Sequence, residues 1–116
     1  MNISNKEYLA NIAGLLTSLE EVDHYVITDM EGRVHSVSSD KYNESTINSC
    51  IYLWVTGSQF GNKFNLGEPV NLIYNLKARK MFIQKYNDYL IIFNLIDAAK
   101  FSSFKKKLYD RLSREI

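Results

Sequence analysis

A single cysteine, Cys50, and a single proline, Pro69, are all that this 116-residue chain has of either. One thiol excludes an internal disulfide and any multi-thiolate metal site. With one proline and only five glycines there is no room for a low-complexity linker, and the composition is that of a folded chain. Charge of one sign is lacking too. The formal net charge is +1, so no overall field draws the chain to nucleic acid. No stretch approaches the roughly 18 consecutive apolar residues of a transmembrane helix. The opening Met1–Glu7 has no signal-peptide apolar run. These absences set the expectation of one cytoplasmic domain over residues 1–116, with no transmembrane segment and no nucleic-acid partner. The length suffices to bury an ordinary core.

Catalytic constellations are lacking as well. His24 and His35 lie in two arms of one predicted hairpin, with no carboxylate-rich or His-x-x-x-His company to make a metal site. Cys50 sits among apolar residues without a neighbouring cation to activate it, the setting of a buried structural thiol. Gly57–Lys63 has the wrong spacing for a phosphate loop, and it lies inside a helical pattern, where backbone N–H groups are already committed. Ser36, Ser38 and Ser39 have no nucleophile elbow around them. The expectation is a protein that is not an enzyme and holds no cofactor or metal. The Lys105-Lys106-Lys107 run reads as the solvated face of a helix, with cations placed toward its C-terminus.

What is present is a regular alternation of elements. Ser4–Glu20 is a helix, opened by the capping box Ser4-Asn5-Lys6-Glu7 with Ile3 and Tyr8 as a staple. Its apolar face runs through Tyr8, Leu9, Ile12, Leu15, Leu16 and Leu19. Tyr25–Thr28 and Arg33–Val37 form a hairpin around Asp29-Met30-Glu31-Gly32, the second arm suiting an edge strand. A long helix follows over Asn43–Leu66, capped by Asp40 or Asn43 and stopped at Leu66-Gly67-Glu68-Pro69. Val70–Leu76 alternates with period two, Lys80–Tyr86 is a further strand, and Asn87-Asp88 is a tight turn. Tyr89–Ile96 is nearly all apolar and belongs in the middle of a sheet covered on both faces. Asp97–Ile116 closes the chain as a helix. The order α-β-β-α-β-β-β-α predicts an α+β domain, a three-layer α/β/α sandwich on a five-stranded antiparallel sheet.

Two stretches have more apolar surface than one core requires. On the long helix Cys50, Trp54, Gly57, Gly61 and Phe64 share a face, and Ile47, Ile51, Leu53, Val55 and Phe60 widen it. Each interior glycine costs about 1 kcal/mol relative to alanine, so the Gly57-x-x-x-Gly61 spacing points to close approach by another backbone. The second stretch is the strand with Val70, Leu72 and Tyr74, which as an edge offers unpaired backbone to another sheet. Together they predict a two-fold dimer with interface residues Cys50, Trp54, Gly57, Gly61, Phe64, Val70, Leu72 and Tyr74.

The element order, the hairpin Val26–Val34 around Asp29-Met30-Glu31-Gly32, the central helix and the run Lys80–Phe93 together resemble the Roadblock/LC7 domain family. The additional C-terminal helix is similar to its prokaryotic, MglB-like members. The resemblance covers nearly the whole chain. It implies a homodimer, or a mixed dimer with a same-fold paralogue, in which Val70–Leu76 pairs with its twin and the central helices lie side by side. It also implies a non-enzymatic scaffold or regulator that binds a small Ras-like GTPase. The alternative is a small-molecule sensor of the PAS or GAF kind, which would need an internal cavity; Trp54, Phe82 and Phe93 argue for a filled interior.

Overall fold

The computed structural model describes residues 5–38, 42–69, 71–75, 77, 80–96, 106 and 110. Its elements are α1 (Asn5–Ser18), β1 (Val22–Asp29), β2 (Val34–Val37), α2 (Glu44–Lys63), β3 (Asn71–Asn75), β4 (Lys80–Tyr86) and β5 (Tyr89–Leu95). The five strands form one antiparallel sheet in the order β2-β1-β5-β4-β3. The nearly continuous apolar run of β5 thus lies in the middle, as its composition requires, with Leu90, Ile91, Ile92, Phe93 and Leu95 buried. The capping residue Ser4, the staple residue Ile3 and most of the C-terminal helix Asp97–Ile116 lie outside the described residues; Lys106 and Asp110 within it are helical and exposed.

Each sheet face carries a helix, because alternate residues of each strand point to opposite sides. On one face Leu9, Ile12, Leu16 and Leu19 of α1 and the segment after it pack on Ile27, Phe82, Ile91, Phe93 and Leu95. There Phe82 stacks on Phe93 at 4.8 Å and Tyr8 on Tyr86 at 4.0 Å. On the other face Ile47, Cys50 and Trp54 of α2 pack on Val26, Ile83, Leu90 and Ile92. The described residues therefore make a helix–sheet–helix sandwich whose two cores are separated by the sheet.

Local chemistry fixes the connections. Gly32 (φ 92°) and Asn87 (φ 52°) take the positive φ values that the two hairpin turns demand. Asn43 is the N-cap of α2, its side-chain oxygen accepting from the N–H of Thr46 at 2.9 Å. At the far end the sequence points to Gly67 as the left-handed stop, but Asn65 (φ 58°) gets there first. Leu66 N–H donates to Gly61 O at 2.7 Å and Asn65 N–H to Asn62 O at 3.2 Å, a Schellman motif that ends the helix at Lys63 rather than Leu66. Asn tolerates the left-handed region well enough to substitute for glycine here.

Candidate protein-interaction site

Two contacts fix how α2 is rotated above the sheet. A Cβ placed on Gly57 would come within 3.2 Å of the Leu72 side chain on β3, so this flank of the helix faces the β3 edge. Gly32, in the β1–β2 turn, lies against Asn48 and Ile51, so the opposite flank faces the other end of the sheet. Phe60 and Phe64 lie three residues after Gly57 and Gly61 and follow the β3 flank outward. Their rings meet at 4.7 Å, yet they remain 60% and 56% exposed, and Leu66 just beyond is 74% exposed. Tyr52, on the outermost line of the helix, is 69% exposed.

This helix surface is also without charge. Between Glu44 and Lys63 no residue of α2 is ionisable as a cation or carboxylate. A solvent-facing helix ordinarily alternates charges on its outer side; aromatic residues without charge mark the core of an interface.

Beneath the flank runs β3, the last strand of the sheet on that side. It pairs with β4 residue for residue from Asn71↔Gln84 to Asn75↔Lys80, leaving its outer backbone groups as a template. The opposite edge, β2, is a poorer template. It has only four residues, and its pairing to β1 slips between Ile27 and Thr28.

The structure divides the predicted interface residues into two sets. Cys50, Trp54 and Gly61 are buried within the single chain, on the sheet side of α2. The close neighbour that the two glycines call for is intramolecular. Gly57 makes room for Leu72, and any Cβ on Gly61 would overlap the carbonyl oxygen of Gly67 where the chain turns back toward β3. Leu72 and Tyr74 are half-buried against the α2-side core, and Phe64 lies on the exposed flank. Val70 lies outside the described residues. Phe60 enters the sequence reading only as part of the widened apolar sector, and Tyr52 and Leu66 not as interface residues; the absence of charge from Ser45 to Asn62 is the sequence signal that points to Tyr52 and Phe60.

Nothing in the described residues gathers into a reactive centre. No group of three or more His, Cys, Asp or Glu side chains is placed to hold a metal among them. Burial pushes the Cys50 thiol up from its ordinary value, keeping it protonated and inert; burial also raises the hydroxyls of Tyr42 and, less enclosed, Tyr74. His24 sits 3.4 Å from Asp23, and His35 lies edge-on to Tyr89, so each has its own neighbour. The charged cluster of Asp29, Glu31 and Arg33 is a turn device. Asp29 accepts from the N–H groups of Glu31 and Arg33 and from the Arg33 guanidinium, each at 2.8–2.9 Å. No helix among the described residues is long and apolar enough to cross a membrane.

The sequence matches no protein-family profile and no curated protein. Comparison of the fold is more productive. A Roadblock/LC7 domain from Streptomyces avermitilis superposes with a TM-score of 0.64 at 17% identity, covering 87% of this chain and 93% of that one. MglB of Myxococcus xanthus superposes with a TM-score of 0.75 at 11% identity, covering 99% and 89%. An MglB described as having a tetrameric arrangement gives 0.67 at 9% identity, covering 99% and 93%. At these identities the likeness is one of fold, and the fold is that of Roadblock/LC7 domains and MglB proteins.

Proposed function

We propose that this chain, with its Roadblock/LC7 fold, is a non-enzymatic cytoplasmic interaction module that self-associates through β3 and the adjoining flank of α2 and binds or regulates a small Ras-like GTPase. The observation that carries the self-association is the continuity of two unsatisfied surfaces. A regular strand at the end of the sheet runs directly below an uncharged helix flank bearing Phe60 and Phe64. A second copy brought up edge to edge continues the sheet and covers both aromatic flanks with one two-fold contact. The tetrameric arrangement of a similarly folded MglB supports association as a habit of the fold. The GTPase half of the reading rests on the family resemblance and on no residue motif.

The experiment has two stages. Sedimentation equilibrium at micromolar concentration is expected to return a dimer; a mass that stays at 13.5 kDa across the concentration range overturns the self-association. The tagged chain is then mixed with purified Ras-like GTPases of its host, each loaded with GDP or a non-hydrolysable GTP analogue. Nucleotide-dependent capture of at least one is expected, and capture of none in either state overturns the regulatory reading.

A further inference from the structure

We propose that the one extra residue in β2, His35, is an assembly stop. It holds the β2 end of the sheet out of step with a second copy of this chain, so that strand pairing between copies is barred at this end.

The irregularity is confined to a single position. Val37 pairs with Val26 and Ser36 with Ile27, but Thr28 pairs with Val34, so His35 is left over. The insertion also decides which way the side chains point. Val26 packs in the α2-side core and Ile27 in the α1-side core, and Thr28 returns to the α2 side. Residues paired directly across a ladder share a face, so Val37 and Val34 both lie on the α2 side although two residues separate them. They are 44% and 48% exposed there. His35 takes the other face. Its ring lies edge-on to Tyr89, a residue packed against the α1-side core, at 6.1 Å.

The backbone explains why this stops assembly. The bonds to β1 are anchored at both ends of the strand, from Asp29 N–H to Arg33 O and from Ser38 N–H to Tyr25 O, each at 3.0 Å. Bonding direction alternates along an antiparallel strand, so the N–H and C=O groups of Val34 and Val37 point away from β1. A regular neighbouring strand presents its bonding groups at every second residue, about 7 Å apart. Val34 and Val37 fall at a spacing of three, which no regular strand matches at both positions. Half-exposed valines on an end strand otherwise favour pairing with another copy. Without His35 the remaining Val34-Ser36-Val37 alternates evenly, and each residue keeps its β1 partner and its face. That stretch is also self-complementary. About a two-fold axis at Ser36, Val34 of one copy meets Val37 of the other, with their outward backbone groups opposed. The stop therefore resides in one residue, and removing it exposes a second edge fit for pairing.

Deletion of His35 tests the stop. The variant is expected to keep the far-UV circular dichroism of wild type and to sediment, at about 100 μM, as species heavier than wild type whose mean mass rises with concentration. Adding Val34→Lys to the deletion is expected to restore the wild-type mass, because a charge then stands at the new contact. A folded deletion variant with the wild-type mass at every concentration overturns the proposal, and so does a heavier one that the lysine fails to restore. Amide exchange in the wild-type chain adds a measurement that needs no variant to fold. The N–H groups of Val34 and Val37 are expected to exchange as open amides at every concentration, and that of Ser38, bonded to Tyr25, more slowly. Protection of Val34 and Val37 that grows with concentration overturns the stop, since β2 then already pairs with another copy. The self-association proposed above fails separately. A monomeric wild type whose deletion variant dimerises through β2 overturns the β3 contact and supports the stop.

Discussion

At the scale of single residues, the two glycines of α2 show how one sequence signal can have two physical meanings. Alanine at Gly57 meets only the end of the Leu72 side chain, at 3.2–3.3 Å, and an edge-strand leucine can rotate away. The gain of about 1 kcal/mol in helix propensity then offsets the crowding, so Gly57→Ala is expected to leave stability within about 0.5 kcal/mol of wild type. Alanine at Gly61 meets the backbone carbonyl of Gly67, which cannot move without opening the Schellman turn. Gly61→Ala is expected to lose about 2 kcal/mol despite the same propensity gain. Urea unfolding of the two variants side by side checks this, and equal midpoints would mean the turn yields as easily as a side chain. The sequence says that these positions want a close neighbour; it does not say whether the neighbour is a twin helix or the chain's own return. That distinction depends on where residues 65–67 turn, a short-range event that the period of the helix does not encode.

Asp29 offers a second residue-scale test. Hydrogen bonds from the Arg33 N–H first, then the Glu31 N–H and the Arg33 guanidinium, outweigh partial desolvation and hold its carboxyl below the usual 3.8. A depressed folded-state value stabilises the fold fully above the unfolded value, and that contribution fades as pH falls through the folded one. Wild type is therefore expected to lead Asp29→Asn by a constant margin at neutral pH, the margin shrinking as the pH drops below 3.8. Thermal midpoints of both proteins from pH 7 to pH 2.5 measure it. A margin that grows in acid would show that the carboxylate is not the species that matters.

At the scale of elements, strand identity was legible and strand extent was not. β4 occupies Lys80–Tyr86, the run expected from the sequence, and the central position of β5 follows from its composition. β1, however, begins at Val22, three residues before the apolar run that announces it. Its polar start is held by pairing to β5, where Val22 faces Leu95 and His24 faces Asn94, a long-range ladder that local pattern cannot report. Cys50, Trp54 and Gly61, which the sequence suggests for an interface, are buried within the single chain, because a wide apolar sector does not say which part the sheet will take. Phe60 and Phe64 are the residues left outside. Replacing both with serine is expected to weaken self-association by at least about tenfold while leaving the folded chain no less stable, since neither ring is buried in the single chain. Sedimentation and urea unfolding at a concentration below dissociation separate the two effects. A double variant that dimerises normally would remove the α2 flank from the contact.

At the scale of the whole molecule, the sheet has one edge that is guarded and one that is not. The short, slipped β2 discourages further pairing, whereas β3 is regular and lies beneath an apolar flank. A chain that left this side bare would carry a standing risk of open-ended assembly, since an unblocked strand edge is a template for any other. A two-fold contact removes that risk by using each edge once and closing. The cost of separating the chains then belongs to the stability of the fold, and the thermal midpoint must depend on concentration. At about 0.7 kcal/mol of unfolding enthalpy per residue, two coupled chains of 116 residues are expected to melt about 3 °C higher for each tenfold increase in concentration. Scanning calorimetry from about 5 μM to 500 μM measures this shift. The double serine variant at Phe60 and Phe64 provides the control, because a chain that no longer associates should melt at one temperature throughout. If wild type behaved as that control does, the exposed side of this sheet would have to be covered by a different chain, and adding the same-fold partner would be what raises the midpoint.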